Sequence, residues 1–419
     1  MLSRIVRTLL FKVVSALTAL AIRANYRIVR RRIRRRKVGD KIRVLFMVNE
    51  ISKWKTQSLY DLMKESGRYE PVIGVTVMDI DRHFSDVDQQ IKMNRTAKFF
   101  EDRGMRVVRL YDAQAKTVTA IKQFGADVVF YQQPYVMLQE HQPDVVSYDA
   151  LTCYVPYYVT NYGTRHFDYE FRFHKQVWRY FILNEDFARA YRRLGWLEGY
   201  AGKILGLGHT GLDYYYLHKN ERCDEGIVIY APHCSIDYPG NENLENYSTF
   251  LWNGEAILEY AKNHPEFKWV FRPHPSLKVA LRRCGVWDDK KIESYWEKWA
   301  TIAMVSRGDD YQALFLKSKA LITDCGSFLI EYFVTGKPLI HLISSTVKVQ
   351  PISVAKRYFD TWYKVHDLKE MAKTFETVLE RGEDPMRKER LTALHRAKLA
   401  DNYAAQNLLE YLNTCLIAR

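Results

Sequence analysis

The strongest candidate for chemistry lies where a predicted strand meets a predicted helix, at Asp324, Gly326, Ser327 and Glu331. Gly326 permits a tight turn and close backbone approach. Ser327 is a favoured helix N-cap residue, with Glu331 four residues on. Because the first N–H groups of a helix carry partial positive charge and have no intrahelical partners, they suit a phosphate. The combination predicts an anion site, although each feature alone is typical of an ordinary strand–turn–helix.

Two further clusters also follow predicted strands. Arg272 and His274 alternate with prolines directly after the strand KWVF at 268–271, and the prolines stiffen the turn. Arginine offers a fork of donors to phosphate oxygens, while histidine can donate a hydrogen bond or act as an acid. His233 ends the strand 227–233, at a position that commonly lines a phosphate site. A rigid loop with incidental polar residues is the competing interpretation of both.

In the first half of the chain, candidates for the acceptor side of a transfer reaction are weaker. His166 lies beside the turn residue Gly163, and a histidine there would suit a general base. Glu50, Lys53 and Trp54 follow the first predicted strand and could face the same site. An ordinary loop histidine and an ordinary helix entrance explain these residues equally well.

We expect no required metal. The Asp-Ile-Asp at 79–81 mimics a metal-binding motif, but it is short and more typical of a surface loop. We interpret Lys337, between Gly336 and Pro338, as part of a helix C-terminus. The cysteines form no CxxC pair and match neither zinc spacing nor a disulfide framework, which predicts reduced thiols: Cys153, Cys223, Cys234, Cys284, Cys325 and Cys415.

The elements that must position these residues alternate between short β-branched runs and helical stretches, a pattern typical of βαβ units and parallel sheets. The pattern breaks at the polar segment 218–226 and then restarts. We therefore predict an α/β protein with two Rossmann-like domains facing a cleft, with ligands beyond the carboxyl ends of the strands. The predicted divisions are a basic segment 1–40, an acceptor domain 41–217, the linker 218–226, a donor domain 227–384 and C-terminal helices 385–419.

Charge is concentrated at one end of the chain. Residues 1–43 carry a net +13 of the chain's +14, so the body is nearly neutral. The run 13–22 is apolar but too short to span a bilayer, and RRRIRRRK follows at 30–37. We predict a basic amphipathic helix on an anionic membrane surface. The alternatives are a signal peptide, which the arginine cluster disfavours, a nucleic-acid-binding arm and a solvated tail, which the apolar residues disfavour.

The segment 227–343 resembles the CDP-glycerol glycerophosphotransferases that build teichoic-acid-like polymers. The likeness is carried by YAPH at 230–233, RPHP at 272–275, DDYQALFLKSKALITDCGSFLIEY at 309–332 and GKPLIH at 336–341. It implies the GT-B architecture, a CDP-glycerol donor, metal-independent transfer and peripheral attachment to the cytoplasmic membrane face.

By the same resemblance, the donor's pyrophosphate would be surrounded by Arg272, His274, Asp324, Gly326 and Ser327, with Glu331 nearby. The first half departs from the family pattern. Tyr162 stands where the family has a histidine that is a candidate base, so His166 is a substitute to be tested. His233-Cys234-Ser235 replaces the family's Thr-Trp-Arg.

The sequence therefore predicts a transferase that moves glycerol phosphate from CDP-glycerol to a hydroxyl of a lipid- or polymer-linked precursor of teichoic acid or capsule. It predicts no cofactor and no nucleic-acid partner. A nucleotide-sugar-dependent glycosyltransferase of capsule or lipopolysaccharide synthesis would share the fold and differ in its donor. A non-catalytic membrane-bound relative is the third possibility, which Tyr162 favours.

Overall fold

The computed structural model describes residues 2–37, 39–79, 85–159, 172–194, 200–238, 246–306, 311–348, 350–399 and 401–417. The chain forms two compact units. The first is built from three segments of the chain, Met1–Tyr158, Arg165–Asp213 and Tyr403–Arg419. The second contains Val159–Thr164 and Tyr214–Asn402.

The first unit is organised around a seven-stranded parallel sheet in the order β3-β2-β1-β6-β7-β8-β9. Strands β4 and β5 form a separate antiparallel pair. The apolar, β-branched composition of the central strands fits a sheet covered on both faces. The strands are β1 (Ile42–Val48), β2 (Tyr69–Val75), β3 (Val107–Arg109), β4 (Tyr111–Asp112), β5 (Thr117–Val118), β6 (Val128–Tyr131), β7 (Leu151–Tyr154), β8 (Arg179–Phe181) and β9 (Ile204–Leu205).

Helices connect several of the parallel strands, and the first and last helices of the chain also belong to this unit. The helices are α1 (Leu2–Arg34), α2 (Gln57–Glu65), α3 (Asp86–Glu101), α4 (Pro143–Val146), α5 (Arg172–Gln176), α6 (Glu185–Arg192) and α16 (Ala404–Leu416). Helix α7 (Asp213–Leu217) begins at the last residue of this unit before the chain enters the second.

The second half of helix α1 belongs to the folded body. Ile22, Val29 and Ile33 lie in the hydrophobic core of the first unit. The Tyr26 hydroxyl bonds to Thr152 and donates to the carbonyl of Gln176 at 2.7 Å. Among the described residues, no helix combines the length and the hydropathy needed to span a bilayer.

The arginine cluster 30–37 also contributes to the fold. Arg36 forms a bidentate ion pair with the fully buried carboxylate of Asp127, which also accepts from the backbone N–H of Arg43 at 2.9 Å. Arg32 donates to the carbonyl of Asp149. The expectation of a segment 1–40 devoted to the membrane surface is therefore wrong for its second half, because those residues complete the core and neutralise a buried acid.

Helix α16 returns to the first unit, where its apolar face joins the same core through Leu408, Leu412 and Leu416. The carboxylate of Asp213 accepts hydrogen bonds from the N–H groups of Ala404 and Ala405 at 2.7 and 2.9 Å. A residue nearly two hundred positions earlier thus caps this helix, satisfying donors that would otherwise have no partner.

The second unit contains a six-stranded, wholly parallel sheet in the order β12-β11-β10-β13-β14-β15. Its strands are β10 (Ile227–Ala231), β11 (Lys268–Phe271), β12 (Met304–Val305), β13 (Ser318–Thr323), β14 (Leu339–Leu342) and β15 (Tyr363–Val365). Its helices are α8 (Phe250–Asn263), α9 (Leu277–Cys284), α10 (Asp289–Ile302), α11 (Gln312–Lys317), α12 (Gly326–Phe333), α13 (Ser353–Phe359), α14 (Leu368–Phe375) and α15 (Arg387–Ala397).

Both sheets place their first strand in the middle, with later strands added first to one side and then to the other. This is the doubly wound order of Rossmann-like domains. The predicted α/β class with two Rossmann-like domains is therefore confirmed. In such sheets the crevice for ligands opens where the strand order reverses, which is between β1 and β6 in the first unit and between β10 and β13 in the second.

Candidate functional site

Several predicted site residues lie at the carboxyl ends of neighbouring strands in the second unit. His233 follows β10, Asp324 follows β13, and Arg272 and His274 follow β11. The backbone N–H of His274 donates to the carbonyl of Pro232 at 2.9 Å, so the loops after β10 and β11 run side by side. These loops surround the point where the strand order reverses.

Asp324 holds these loops together. It is buried, at 1% exposure. One carboxylate oxygen accepts from the N–H of His233 at 2.6 Å, and the other accepts from the N–H and hydroxyl of Thr249 at 2.6 and 2.8 Å. Both oxygens are engaged within the protein and a carboxylate would repel a phosphate, so this geometry favours a positioning role for Asp324 over direct contact with the donor. Asp324 is a positioning residue, and burial raises its pKa to about 6.

The imidazoles of His233 and His274 lie together, with ring centroids 5.0 Å apart. Nδ1 of His233 accepts the backbone N–H of Ser235 at 3.2 Å and lies 2.7 Å from the hydroxyl of Ser235, which can donate to it as well. Nδ1 of His274 accepts the backbone N–H of Ser276 at 3.1 Å. An Nδ1 that accepts an N–H carries no proton, so the hydrogen-bond network assigns the proton of each neutral ring to Nε2.

Both rings are held in this neutral form. Burial, with a smaller contribution from His274, lowers the pKa of His233 to about 3. Burial also lowers the pKa of His274. The pair therefore offers two Nε2–H donors at physiological pH without the repulsion that two imidazolium rings would suffer.

Arg272 supplies the cation of the cluster. Its guanidinium donates to the hydroxyl of Ser306 at 2.7 Å and lies over the ring of Tyr311, 4.9 Å from the centroid. Tyr311 in turn packs against Phe328 in the first turn of α12, with ring centroids 5.0 Å apart. Arg272 is only partly buried, and one aromatic ring links it to the start of that helix.

Glu331 lies on the interior side of α12, at 2% exposure, and its carboxylate accepts from the hydroxyl of Tyr311. A donor-binding role through its carboxylate is not what this geometry supports. Instead, Glu331 fixes the ring on which Arg272 rests.

Helix α12 begins at Gly326, and its N-cap residue is Cys325. No side chain caps the helix. The prediction that Ser327 is the N-cap is wrong: Ser327 is the second helical residue, and its hydroxyl lies 3.2 Å from the sulfur of Cys325. An N-terminus without a side-chain cap, at the end of a central strand, retains its capacity to bind an anion.

Cys234 lies beside the two histidines, and their potential ligand atoms all fall within 4.8 Å of one another. A His₂Cys set suits zinc in ligand type. However, a metal-bound histidine normally donates its second ring N–H to an acceptor, whereas Nδ1 of His274 receives the backbone N–H of Ser276 instead. Burial also raises the pKa of the Cys234 thiol to about 11. The arrangement fits an anion better than a divalent cation.

The first unit has a recess at its own switch point, beyond the ends of β1 and β6. Lys53 donates to the side-chain oxygen of Gln133 at 2.6 Å and pairs with Glu50 at 3.3 Å. Gln132, which is 4% exposed, accepts from the N–H of Lys55 at 2.7 Å, while its Nε2 group has no partner within the described part of the chain. A buried donor without a partner is costly unless a ligand or water satisfies it.

Two of the remaining residues singled out in the sequence, Trp54 and Lys337, have structural roles. Trp54 packs against Phe46, Tyr60 and Phe100 in the core of the first unit, so it is not a site residue. Lys337 donates to the carbonyls of Cys223, Leu316 and Ser318, as its structural interpretation predicts.

Two predicted segments, His166 with its preceding turn and most of the Asp-Ile-Asp at 79–81, lie outside the described residues. The structure also adds three residues that were not among the predicted site residues: Thr249, Ser306 and Tyr311.

No protein-family model matches this sequence, and no curated protein matches it either. Solved structures do match. A variant of the wall teichoic acid polymerase TagF is 12% identical, with 96% of this chain and 98% of that chain covered and a TM-score of 0.57. A TagF variant soaked with CDPG is 13% identical, at 97% and 98% coverage and a TM-score of 0.55.

The UDP-GlcNAc 2-epimerase of Neisseria meningitidis, bound to UDP-GlcNAc, is 12% identical, at 88% and 100% coverage and a TM-score of 0.56. At these identities the likeness concerns the fold. The chain has the GT-B fold that glycosyltransferases and these epimerases share.

Proposed function

We propose that this protein is a transferase that moves glycerol phosphate from CDP-glycerol to a hydroxyl of a membrane-linked surface-polymer precursor, of teichoic acid or capsule type. The observation that carries the proposal is the cluster in the second unit. Two Nε2–H donors from His233 and His274, the guanidinium of Arg272 and the N-terminus of α12 gather at the switch point of a doubly wound sheet. Such a constellation is complementary to a diphosphate.

The chemistry is an in-line displacement at the phosphorus that bears the glycerol. The acceptor oxygen forms a new bond to that phosphorus, the bond to the bridging oxygen breaks, and CMP leaves with the bonding electrons. Charge builds up on the oxygens around that phosphorus and on the leaving phosphate, and His233, His274 and Arg272 are positioned to stabilise it.

The neutral histidines act here as hydrogen-bond donors that need no reorganisation during the reaction, because backbone N–H groups fix their orientation. The proton lost by the acceptor hydroxyl requires a base. His166 is our candidate from the sequence.

The choice of donor is supported by the sequence resemblance over 227–343 and by the shared fold of TagF, one structure of which was obtained with CDPG. Other proteins of this fold bind UDP-GlcNAc or UDP. A nucleotide-sugar-dependent glycosyltransferase is therefore the second candidate, since a site for a diphosphate does not distinguish cytidine from uridine.

Calorimetric titration of the full chain with CDP-glycerol, CDP and UDP-GlcNAc tests the proposal. We expect CDP-glycerol to bind and Arg272→Ala to weaken that binding at least tenfold, because a charge-assisted contact to phosphate is lost. Arg283→Ala, on an exposed residue of α9, is the control. Binding of UDP-GlcNAc alone would favour the second candidate. If none of the three nucleotides binds, both candidates are refuted.

On the acceptor side, we propose that the recess around Lys53 and Gln132 receives the acceptor's hydroxyl groups. Its lining combines side-chain amides with apolar residues such as Val77 and Met137, which suits a neutral polyol. Peripheral attachment to the cytoplasmic face of the membrane remains a proposal that rests on the sequence of helix α1.

A further inference from the structure

The two faces of helix α1 have different surroundings. The inner face belongs to the hydrophobic core of the first unit, as described above. On the outer face, Leu17 and Leu20 are each 60% exposed, and Ile28 is 63% exposed. The period of an α-helix places these three side chains on the same side. They therefore form an exposed apolar stripe rather than isolated surface residues, and such a stripe is typical of an interaction site.

Exposed arginines continue this stripe toward the end of the helix. Arg27, Arg31 and Arg35 are all exposed, and Arg31 and Arg35 follow Ile28 by about one and two turns. The sequence contains no acidic residue before Asp40. The aliphatic stem of an arginine can lie along an apolar surface while its guanidinium stays in a polar layer. The outer face thus combines exposed aliphatic groups with positive charge.

A second segment of the chain extends this face. The side-chain amide of Asn25 donates to the hydroxyl of Ser147 at 3.3 Å. Two helical turns later, Arg32 donates to the carbonyl of Asp149. These contacts, about 10 Å apart along the helix axis, hold the turn that follows α4 against α1. Tyr148 lies between them in the chain and is 66% exposed.

The composition of this turn suits the boundary between water and lipid. Tyrosine has an apolar ring and a polar tip, and it is enriched where proteins meet that boundary. Val145 is also exposed, at 41%. The acids of the segment 143–149 are Asp144 and Asp149, and both are partly buried. The three exposed arginines of α1 outnumber them, so the combined surface is cationic.

We propose that this combined surface, the outer face of α1 from Leu17 to Arg35 together with the turn 143–149, docks flat on a bilayer that contains anionic lipids. Its apolar side chains enter the boundary between headgroups and acyl chains, and its arginines meet the lipid phosphates. Because the inner face of the same helix is core, the first unit rests directly against the membrane instead of hanging from a tether. A nucleic acid would match the arginines but not the exposed aliphatic groups.

This inference deepens the peripheral attachment proposed above, since it assigns the attachment to particular side chains and adds a second segment of the chain. It does not depend on the identity of the nucleotide donor. The vesicle assay below contains no nucleotide, so its result and that of the calorimetric donor test can fail separately.

The first comparison tests the apolar groups. Ile28→Ser with Tyr148→Ser removes two of them from the proposed surface. Val87→Ser with Ile91→Ser is the matched control, because both side chains are exposed on helix α3. Circular dichroism and thermal melting check that each variant is folded. Affinity is measured on the full chain by sedimentation with phosphatidylglycerol–phosphatidylcholine vesicles and with phosphatidylcholine vesicles, at about 0.1 M salt.

The second comparison tests the arginines at equal net charge. Arg31→Ser with Arg35→Ser alters the proposed surface, whereas Arg283→Ser with Arg396→Ser removes two exposed arginines from the second unit. We expect the wild-type protein to bind the anionic vesicles in preference to the neutral ones. Each surface variant should lose at least tenfold in affinity, and each control less than threefold.

Four results would overturn the proposal. Equal affinities of the Ile28–Tyr148 variant and its control would show that no apolar group enters the membrane. Equal losses in the two arginine variants would show that only net charge matters. A wild-type protein that does not bind anionic vesicles would exclude the partner. Dimerisation in sedimentation equilibrium that the Ile28–Tyr148 variant abolishes would assign the surface to a second copy of the chain.

Discussion

Replacement of His274 by alanine removes one of the two Nε2–H donors of the proposed diphosphate site. The side chain is partly exposed, and its one hydrogen bond within the described structure is the acceptor contact from Ser276 at 3.1 Å. The loss to stability should therefore be about 1 kcal/mol. Loss of a fixed donor to developing charge typically costs about 10²–10³-fold in kcat, or about 2.7–4 kcal/mol of transition-state stabilisation. We expect a folded variant with that loss.

Because the proton of His274 is assigned to Nε2, glutamine and asparagine should differ as replacements for this histidine. In glutamine, the amide nitrogen reaches about as far from the backbone as Nε2 of histidine, so His274→Gln retains a donor at the required place. In asparagine, the amide is shorter and can replace only Nδ1. If His274 acts as a neutral donor, we expect the glutamine variant to recover about tenfold in kcat over alanine, and the asparagine variant to recover little.

The assay is single-turnover release of CMP from CDP-glycerol with saturating acceptor, which separates the chemical step from product release. His395→Ala, at an exposed position of helix α15, is the matched control and should retain full activity. Equal kcat for the alanine and glutamine variants would refute the donor role and indicate proton transfer. A wild-type rate for alanine would remove His274 from the site.

Three further predictions concern stability and positioning. Burial raises the folded-state pKa of Asp213 to about 6, so the stability that its protonated form contributes below the unfolded-state pKa near 4 is lost as pH rises. The free energy of unfolding of Asp213→Asn should therefore gain about 2–3 kcal/mol relative to wild type between pH 4 and pH 7 in chemical denaturation. A difference that stays constant with pH would contradict this. Arg36→Ala should cost about 3 kcal/mol by leaving Asp127 buried without its cation, whereas exposed Arg35→Ala should stay within about 0.5 kcal/mol. Asp324→Ala should both weaken CDP-glycerol binding in calorimetry and lower kcat, because the loop that carries His233 loses its hydrogen bond to the Asp324 carboxylate. An unchanged kcat would show that this loop keeps its position without Asp324.

The sequence predicts the positions of the strands that end at the candidate site, because each is a short apolar run followed by a polar turn. Arg272 and His274 were predicted from this pattern, and the structure places His274 beside His233. The alternation of strands and helices does not by itself specify helices α9 and α10, which lie between β11 and the short strand β12 (Met304–Val305). Their amphipathic pattern gives no signal as clear as a run of β-branched residues.

The role of Asp324 could not be predicted from local sequence. Whether a carboxylate faces a ligand or holds a loop depends on which donors the fold brings to it, and Thr249 is seventy-five positions away. The N-cap prediction at Ser327 failed for a related reason, since the turn after β13 began the helix one residue before it. Similarly, the arginine cluster gives no sign that Arg36 has a buried partner, because charge runs usually face solvent.

The return of helix α16 to the first unit has a consequence for biosynthesis. Nearly all of the second unit comes from one stretch of chain, Tyr214–Asn402, so its core can be completed as soon as that stretch has left the ribosome. The first unit still lacks Leu408 and Leu412 at that moment, although all its strands were made earlier. During translation the earlier half must therefore wait, with an open apolar groove, for the last segment to be synthesised. Nascent chains that stop short of residue 404 should therefore recruit chaperones through that groove.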